Sequence, residues 1–290
     1  MRNKVGVHQR YILASHESGV GLAATACETV LERSGVSITD IGLIVFVTQN
    51  PDQKMPQNSS LLAAALEAPR HCASFDIALG CSGYVYGLSI TEAFLAAHNI
   101  GSALLVTCDP YSRIIAREDK ATNAVFGDAA TATLVAAGTG HSRLRGLDFG
   151  TDGGSGQAIS IAAGAAARPL VHLDEQEDLT VGSREDHSLY MDGRAVFNFV
   201  NSTIPGSIEN SLQSCGLKIE DVDWFALDQV SSYMLDALAK RAGLPPHKVL
   251  KNINTYGNTV SSTIPLLLEE LMQSGKLNCG ETVLVSGFGV

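Results

Sequence analysis

Runs of consecutive apolar residues recur along the chain, separated by stretches in which apolar residues follow helical spacing. Short, continuous apolar runs are typical of strands that are buried on both faces of a mostly parallel sheet. The predicted strands are GLIVFVT (42–48), SFDIAL (74–79), ALLVTC (103–108), TATLVAA (131–137), WFAL (224–227) and TVLVSGF (282–288). The predicted helices are 21–33, 59–67, 84–97, 192–214, 232–242 and 261–273. This alternation predicts an α/β protein.

The chain also repeats itself. The aligned pairs are SGVSITDIGLIVF (34–46) with CGLKIEDVDWFAL (215–227), GCS (80–82) with GNT (257–259), and GSALLVTCD (101–109) with GETVLVSGF (280–288). Three segments that keep their order at nearly one offset indicate a duplication. We therefore predict two related α/β halves, residues 1–140 and 141–290.

The two halves differ in their predicted strands. RLRGLDF (143–149) is strand-like and precedes the first helix of the second half, but the first half has no counterpart. Conversely, TATLVAA (131–137) has no counterpart after residue 288. Each half thus lacks one strand, at opposite ends of the chain, and we expect the sequence to be a shortened form of a longer protein.

Composition narrows the classes of function. The chain has 290 residues, 45% of them hydrophobic and 17% charged, with a net charge of −10 and no run of Lys or Arg. This balance argues against a nucleic-acid groove or an anionic-membrane patch. No apolar stretch reaches about 18 residues and the N-terminus lacks an apolar signal core, so we expect a cytoplasmic protein. The six cysteines and eight histidines show neither zinc-ligand spacing nor a disulfide pattern.

Cys81 follows an apolar run and a glycine and precedes a helical stretch. In the alignment of the halves it is equivalent to Asn258, which has the same setting. Two halves packed around a pseudo-twofold axis would bring both side chains into one cavity, with strands 74–79 and 249–254 adjacent and antiparallel. A helix N-terminus lowers the pKa of a thiol, which favours Cys81 as a nucleophile over a packed core cysteine.

Four segments resemble the β-ketoacyl-acyl-carrier-protein synthase III family of the thiolase superfamily. They are FDIALGCSGYVYGL (75–88), FGDAATATLV (126–135), YMDGRAVFNFV (190–200) and YGNTVSSTIP (256–265). The resemblance implies a duplicated thiolase-like five-layer αβαβα fold, here without its first and last strands, and a homodimer formed through strand 74–79. It also implies acyl-CoA and acyl-carrier-protein thioesters as substrates and no cofactor or metal.

The resemblance assigns roles to the catalytic residues. Cys81 is expected to take the acyl group from acyl-CoA, and Asn258 to promote decarboxylation of a malonyl thioester. The resulting carbanion then attacks the acyl-cysteine. The backbone of Cys81 and the final glycine-rich turn, at Gly289 or Val290, are expected to form the oxyanion hole.

Three further residues are expected to bind substrate. Lys4 aligns with an arginine near the CoA adenine and phosphates, and Met55 with a residue that closes the partner's acyl pocket across the dimer interface. Phe197, within YMDGRAVFNFV, is the third. A solvated Lys4 and a plain interface Met55 are the alternatives.

One position departs from the family pattern. Where the family has a histidine, this sequence has Asp228, in WFALDQVSSYM (224–234). An ionised carboxylate cannot donate a hydrogen bond to a thioenolate oxygen, and losing one such donor costs roughly 2.7–4 kcal/mol. A nearby carboxylate also raises the pKa of the Cys81 thiol. Decarboxylation should therefore be poor unless a dry site keeps Asp228 protonated.

Three interpretations of Asp228 stay open. It could be a general base for transfer of the acyl group to a hydroxyl or amine. It could instead be an inactivating substitution in a condensing enzyme. Finally, the chain could be a non-catalytic partner subunit, although the presence of both Cys81 and Asn258 argues somewhat against this.

Overall fold

The computed structural model of the chain describes residues 5–138, 143–169 and 185–289. Its strands are β1 Leu43–Val47, β2 Ala73–Ile77, β3 Ser102–Cys108, β4 Ala130–Ala136, β5 Ile159–Ser160, β6 Tyr190–Met191, β7 Trp224–Leu227 and β8 Val283–Ser286. Its α-helices are α1 Gly19–Ser34, α2 Asn58–Ala65, α3 Gly83–His98, α4 Lys120–Asn123, α5 Gly193–Ser214, α6 Ser232–Arg241, α7 Ile253–Tyr256 and α8 Thr263–Gln273. The six strands and six helices predicted from the alternation of apolar runs and helical stretches are all present, with ends shifted by a few residues.

The first half is built on a four-stranded sheet in the order β2–β1–β3–β4. β1 pairs in parallel with β2 and β3, whereas β4 runs antiparallel to β3. All five residues of β1 are buried. A strand covered on both faces needs apolar side chains at every position, which explains the continuous run LIVFV. In the second half, β7 and β8 form another parallel pair.

The hydrophobic clusters stack these elements in five layers. Alternate residues of β1 pack against α1 and α2 on one face and against α3 and α8 on the other. Ala226 of β7 faces the layer of α3 and α8, while Phe225 and Leu227 pack against α5 and α6. This alternation follows from the two-residue period of a strand. The resulting order, αβαβα, confirms the predicted fold class.

Local structure also follows the internal repeat. Gly35 and Gly216 both end a helical segment with a left-handed backbone, at φ values of 68° and 71°. Each is followed by a short 3₁₀ turn, Ile38–Asp40 in the first half and Ile219–Asp221 in the second. The equivalent strands β1 and β7 come next. Each aligned segment therefore contains a left-handed glycine, a short turn and a strand in the same order.

Two predictions about strands are wrong. Residues 143–149 form no strand in the structure. Strand 249–254 does not exist either: Val249 makes a single bridge to Phe225, residues 250–252 belong to no strand, and α7 begins at Ile253. The sheet partner of β2 is β1 instead. The segment is held differently because the buried side chain of Gln229 accepts the Asn252 N–H at 3.2 Å.

Two further predictions concern the chain as a whole. The boundary between residues 140 and 141 lies outside the described residues, so the exact division into halves stays a prediction. Among the helices that the structure describes, none combines the length and the apolar character needed to cross a membrane.

Candidate active site

Cys81 lies between the end of β2 and the first turn of α3, with Ser82 at the N-cap position. The small residues around it allow close packing. A Cβ on Gly83 would come within 2.3 Å of the Val47 Cγ1, so only a glycine lets α3 begin directly against β1. The Gly83 N–H also donates to the Gly80 carbonyl at 2.8 Å, which closes the turn that presents the cysteine.

The thiol of Cys81 is enclosed by apolar side chains from both halves of the chain. The side chain is 9% exposed. The cluster around it contains Tyr111, Ile115, Val125, Phe126, Leu189 and Val260. We call this set the Cys81 cluster.

The turn that follows β8 packs directly on Cys81. A Cβ on Gly287 would lie 2.5 Å from the Cys81 carbonyl oxygen, and one on Gly289 would lie 3.2 Å from the Cys81 Sγ. Gly289 has a φ of 147°, a conformation that side chains with a Cβ rarely adopt. The structure therefore brings Gly289 to the nucleophile. The other predicted residue of this turn, Val290, lies outside the described residues.

Asp228 follows β7 and is fully buried. Its backbone N–H donates to the Ser286 carbonyl at 3.0 Å, which fixes it beside the turn that follows β8. Burial raises the pKa of Asp228 to about 7, against the lowering influence of the Cys81 thiol, the Gln229 N–H and the Thr263 hydroxyl. These groups lie close to the carboxyl group. Neither carboxylate oxygen has a hydrogen-bond partner of acceptable geometry, so the groups are not well aligned with it.

The pKa of the Cys81 thiol is raised well above its ordinary value, because of burial first and then because of the charges of Asp228 and Asp109. Its own backbone N–H has the opposite, lowering influence. The lowering influence predicted for the helix N-terminus is thus present but is outweighed by enclosure among apolar groups and by two carboxylates. The expected raising effect of Asp228 is confirmed.

Asn258 is 2% exposed and joins the site through its neighbours. Its backbone N–H donates to the Val125 carbonyl at 2.8 Å, next to the Cys81 cluster. Its Oδ1 accepts from the Val260 N–H at 2.8 Å and from the Thr263 hydroxyl at 3.4 Å. In the described part of the chain its Nδ2 has no hydrogen-bond partner. The amide is therefore oriented with both N–H bonds free to donate.

The predicted substrate-binding residues are distributed differently. Met55 is 84% exposed in the single chain. Phe197 stacks on Tyr233, with ring centroids 5.6 Å apart. Tyr233 in turn lines an apolar cavity of about 190 Å³. The other residues around this cavity are Val5, Val125, Phe126, Met191, Val230, Ser231 and Met234. Lys4 lies outside the described residues.

Sequence reasoning missed Asp109, Tyr111 and Thr263. Tyr111 is part of the Cys81 cluster, and Thr263 lies between Asp228 and Asn258. Asp109 directly follows β3. A charged residue at the end of a buried apolar run is the sequence feature that could have identified it. Within the described residues no group of three or more His, Cys, Asp or Glu side chains could hold a metal ion.

Comparison with known proteins identifies two matching segments. Residues 75–153 match the family described as 3-oxoacyl-[acyl-carrier-protein (ACP)] synthase III, and residues 212–290 match the C-terminal part of the same family. The first segment contains Cys81, and the second contains Asp228 and Asn258.

Individual relatives cover the whole chain. The β-ketoacyl-[acyl-carrier-protein] synthase III of Acidiphilium cryptum is 33% identical over 292 residues, which cover 100% of this chain and 86% of the relative. A crystal structure of a 3-oxoacyl-(acyl-carrier-protein) synthase III superposes with a TM-score of 0.89 at 34% identity, covering 100% and 87% of the two chains. The corresponding enzyme of Pseudomonas aeruginosa gives 0.86 at 29% identity, covering 99% and 84%.

Proposed function

Since the chain belongs to the 3-oxoacyl-[acyl-carrier-protein] synthase III family, we propose that it is an acyltransferase in which Cys81 takes an acyl group from acyl-CoA and passes it to a malonyl thioester. The observation that carries this proposal is the pairing of Cys81 with Asp228. The carboxyl group is buried beside the thiol, lacks an aligned hydrogen bond, and has a pKa of about 7. It is thus able to gain or lose a proton near neutral pH.

Asp228 serves as the base in the first step. The ionised carboxylate takes the proton of the Cys81 thiol, and the sulfur attacks the carbonyl carbon of acyl-CoA. The new C–S bond to Cys81 replaces the C–S bond to CoA, whose thiolate leaves and receives the proton from Asp228. The N–H groups of Cys81 and Gly289 stabilise the tetrahedral oxyanion. The contact between Gly289 and the thiol supports this role.

After CoA leaves, ionised Asp228 takes up a proton from solvent, and the neutral carboxyl group serves as a donor in the second step. The malonyl thioester loses CO₂, and Asn258 and neutral Asp228 donate hydrogen bonds to the thioenolate oxygen. The carbanion attacks the acyl carbon on Cys81, the C–S bond breaks, and the Cys81 thiolate takes the proton of Asp228. The dry surroundings of Asp228 and the free N–H bonds of Asn258 support this step, since burial favours the neutral carboxylic acid.

The same pKa supports a second candidate function. Ionised Asp228 is suited to deprotonate a hydroxyl or amine acceptor, which would then take the acyl group from Cys81 without decarboxylation. A catalytically impaired chain or a partner subunit is the remaining possibility. The identity of the acceptor distinguishes these cases.

The apolar cavity beside Tyr233 is the proposed path of the thioester arm. It shares Val125 and Phe126 with the Cys81 cluster, so it leads from the Phe197–Tyr233 pair toward the nucleophile. The proposed partners are acyl-CoA and acyl carrier protein. Lys4 is a proposed contact of CoA. The cytoplasm is the proposed compartment, which the six free cysteines support.

The proposed assembly is a homodimer formed through β2. This strand lies at the edge of its sheet, and all five of its residues are half-buried in the single chain. An edge strand of this kind needs a cover because its unpaired backbone groups attract other strands. Met55, 84% exposed, would then contact the partner near its acyl pocket. Sedimentation at micromolar concentration tests the assembly, and a monodisperse monomer would contradict it.

Mass spectrometry of the intact protein tests the first chemical step. After incubation with a panel of acyl-CoAs, we expect the mass to rise by one acyl group and the label to map to the peptide that contains Cys81. Cys81→Ala should abolish the label. Cys279→Ala is the matched control, because Cys279 is an exposed free cysteine outside the site. Absence of label on Cys81 with every acyl-CoA would exclude the enzymatic interpretations.

A further inference from the structure

A second carboxylate lies near Cys81 that the proposed reaction does not use. Asp109 follows β3 and is fully buried. Its Oδ1 accepts from the Gln49 N–H at 2.7 Å and from the Thr48 hydroxyl at 3.1 Å. Its Oδ2 accepts from the Ser261 hydroxyl at 2.5 Å and from the Ser261 N–H at 3.4 Å. Asp109 therefore joins the ends of β1 and β3 to a turn of the second half.

The directions of these hydrogen bonds suit an ionised carboxylate. The Thr48 hydroxyl accepts from the Asn50 N–H at 3.0 Å, so its own proton is free to point at Asp109. Burial raises the pKa of Asp109, and the bonds from Ser261, Gln49 and Thr48 act against that rise. With donors on both oxygens, the carboxylate does not need a proton of its own.

Ser261 connects Asp109 to the orientation of Asn258. It directly follows Val260, whose N–H donates to the Asn258 Oδ1 at 2.8 Å. Anchoring of Ser261 thus fixes the peptide that holds the Asn258 amide with its N–H bonds free.

Gln49 connects Asp109 to the Cys81 cluster. The Gln49 N–H donates to Asp109, and the Gln49 Oε1 accepts the Tyr111 hydroxyl at 2.9 Å. The Tyr111 ring is in the Cys81 cluster, 5.2 Å from the ring of Phe126. Asp109 is therefore linked to Asn258 through Ser261, and to Tyr111 of the Cys81 cluster through Gln49.

We propose that Asp109 is a positioning residue that holds the Asn258 amide and the Tyr111 side chain in place relative to Cys81. Among the described residues its hydrogen-bond donors are Thr48, Gln49 and Ser261, and Cys81 is not one of them. Its negative charge raises the pKa of the Cys81 thiol, which disfavours the nucleophile, so its contribution to the site is geometric rather than electrostatic. The consequence for the reaction rests on the proposed function, in which Asn258 acts in the decarboxylation step.

The test compares Asp109→Asn and Ser261→Ala with the unmodified protein. Both variants should lower the kcat for CO₂ release from a malonyl thioester by about ten- to a hundredfold, as expected for misplacing a group by about 1 Å. Acylation of Cys81 should change much less, because it does not use Asn258. A purely structural role would instead lower both rates by the same factor through loss of folded protein.

Ser59→Ala is the matched control. Ser59 is also a fully buried serine, but its hydroxyl has no hydrogen-bond partner. This variant should keep the ratio of the two rates. If Asp109→Asn does not fold, Ser261→Ala alone still decides, because it leaves the carboxylate in place and removes its shortest contact.

Hydrogen exchange provides a readout that needs no substrate. The Val260 amide reports on the Asn258 side chain, and its exchange should become about tenfold faster or more in both variants, the effect of losing one hydrogen bond to a charged group. If the unmodified protein releases no CO₂, the proposed function fails while this measurement still tests Asp109. Unchanged Val260 exchange together with an unchanged rate ratio would overturn the proposal.

Discussion

Asp109 and Asp228 are both fully buried aspartates at the carboxyl ends of strands, yet their surroundings differ. Asp109 accepts four hydrogen bonds from both halves of the chain. Asp228 accepts none of acceptable geometry and faces apolar side chains and a thiol. The first carboxylate replaces its lost hydration with protein donors, and the second does not.

This difference separates a structural carboxylate from a reactive one. A group held by four donors has one stable charge state, because protonation would leave a donor without its acceptor. A group whose neighbouring donors are not aligned with it changes its protonation state with less rearrangement. Asp228 is therefore the carboxyl group suited to the proposed proton transfers, and Asp109 the one suited to the proposed positioning of Asn258 and Tyr111.

The largest expected effect concerns stability, because replacement by asparagine should act in opposite directions at the two sites. Burial raises the pKa of Asp228 from 3.8 to about 7, so the folded state binds an extra proton between these values and loses stability as pH rises through that window. Asp228→Asn removes this cost, about 4 kcal/mol at pH values above the window. Asp109→Asn should destabilise by about 1–3 kcal/mol, because its amide N–H bonds face other donors.

Urea unfolding at about pH 8 and about pH 4 checks this comparison through the proton linkage. The gain from Asp228→Asn should largely disappear at the lower pH, where the native carboxyl group is already neutral. If both variants, or neither, were more stable than the unmodified protein, the two aspartates would not differ in their contribution to stability as predicted.

The next expected effect is on catalysis. Asp228→His supplies a neutral donor toward the thioenolate at pH values above the Asp228 pKa of about 7, where the native carboxylate is ionised. There it should raise the rate of CO₂ release by up to about 10²–10³, the effect of one oxyanion contact. Release of ¹⁴CO₂ from labelled malonyl thioester measures it. If Asp228→His instead abolishes transfer to a hydroxyl or amine acceptor, Asp228 works as a base in a non-decarboxylating acyltransferase. An equal rate of CO₂ release by the unmodified protein and by Asp228→His at these pH values would contradict the role of neutral Asp228 as the donor.

The smallest expected effect is that the rates of CO₂ release and of Cys81 acylation change in opposite directions with pH. Neutral Asp228 is needed for CO₂ release, which should fall by about tenfold per pH unit above its pKa. Acylation of Cys81 uses ionised Asp228 and should fall below the same pKa, which is about 7. Asp228→Asn should flatten both profiles. Profiles that depend on pH in the same direction would contradict the assignment of both roles to Asp228.

Most of the fold could be predicted from the order of apolar and polar residues along the chain. Continuous apolar runs predicted β1, β3 and β7, because a strand covered on both faces needs apolar residues at every position. The repeat aligned Gly35 with Gly216, and both glycines have a left-handed backbone in the structure. The segment at 249–254 could not be predicted correctly, since its path depends on a hydrogen bond to Gln229, a residue distant in sequence.

The residue types of the site were also present in the sequence, but their chemical state was not. Cys81, Asp228 and Asn258 were identified from motifs, while the net direction of the thiol pKa could not be derived from them. A local rule, the helix N-terminus, was outweighed by burial and by two carboxylates that come from other strands. Charge and hydration depend on every group within several ångströms, and only the tertiary structure decides which groups those are.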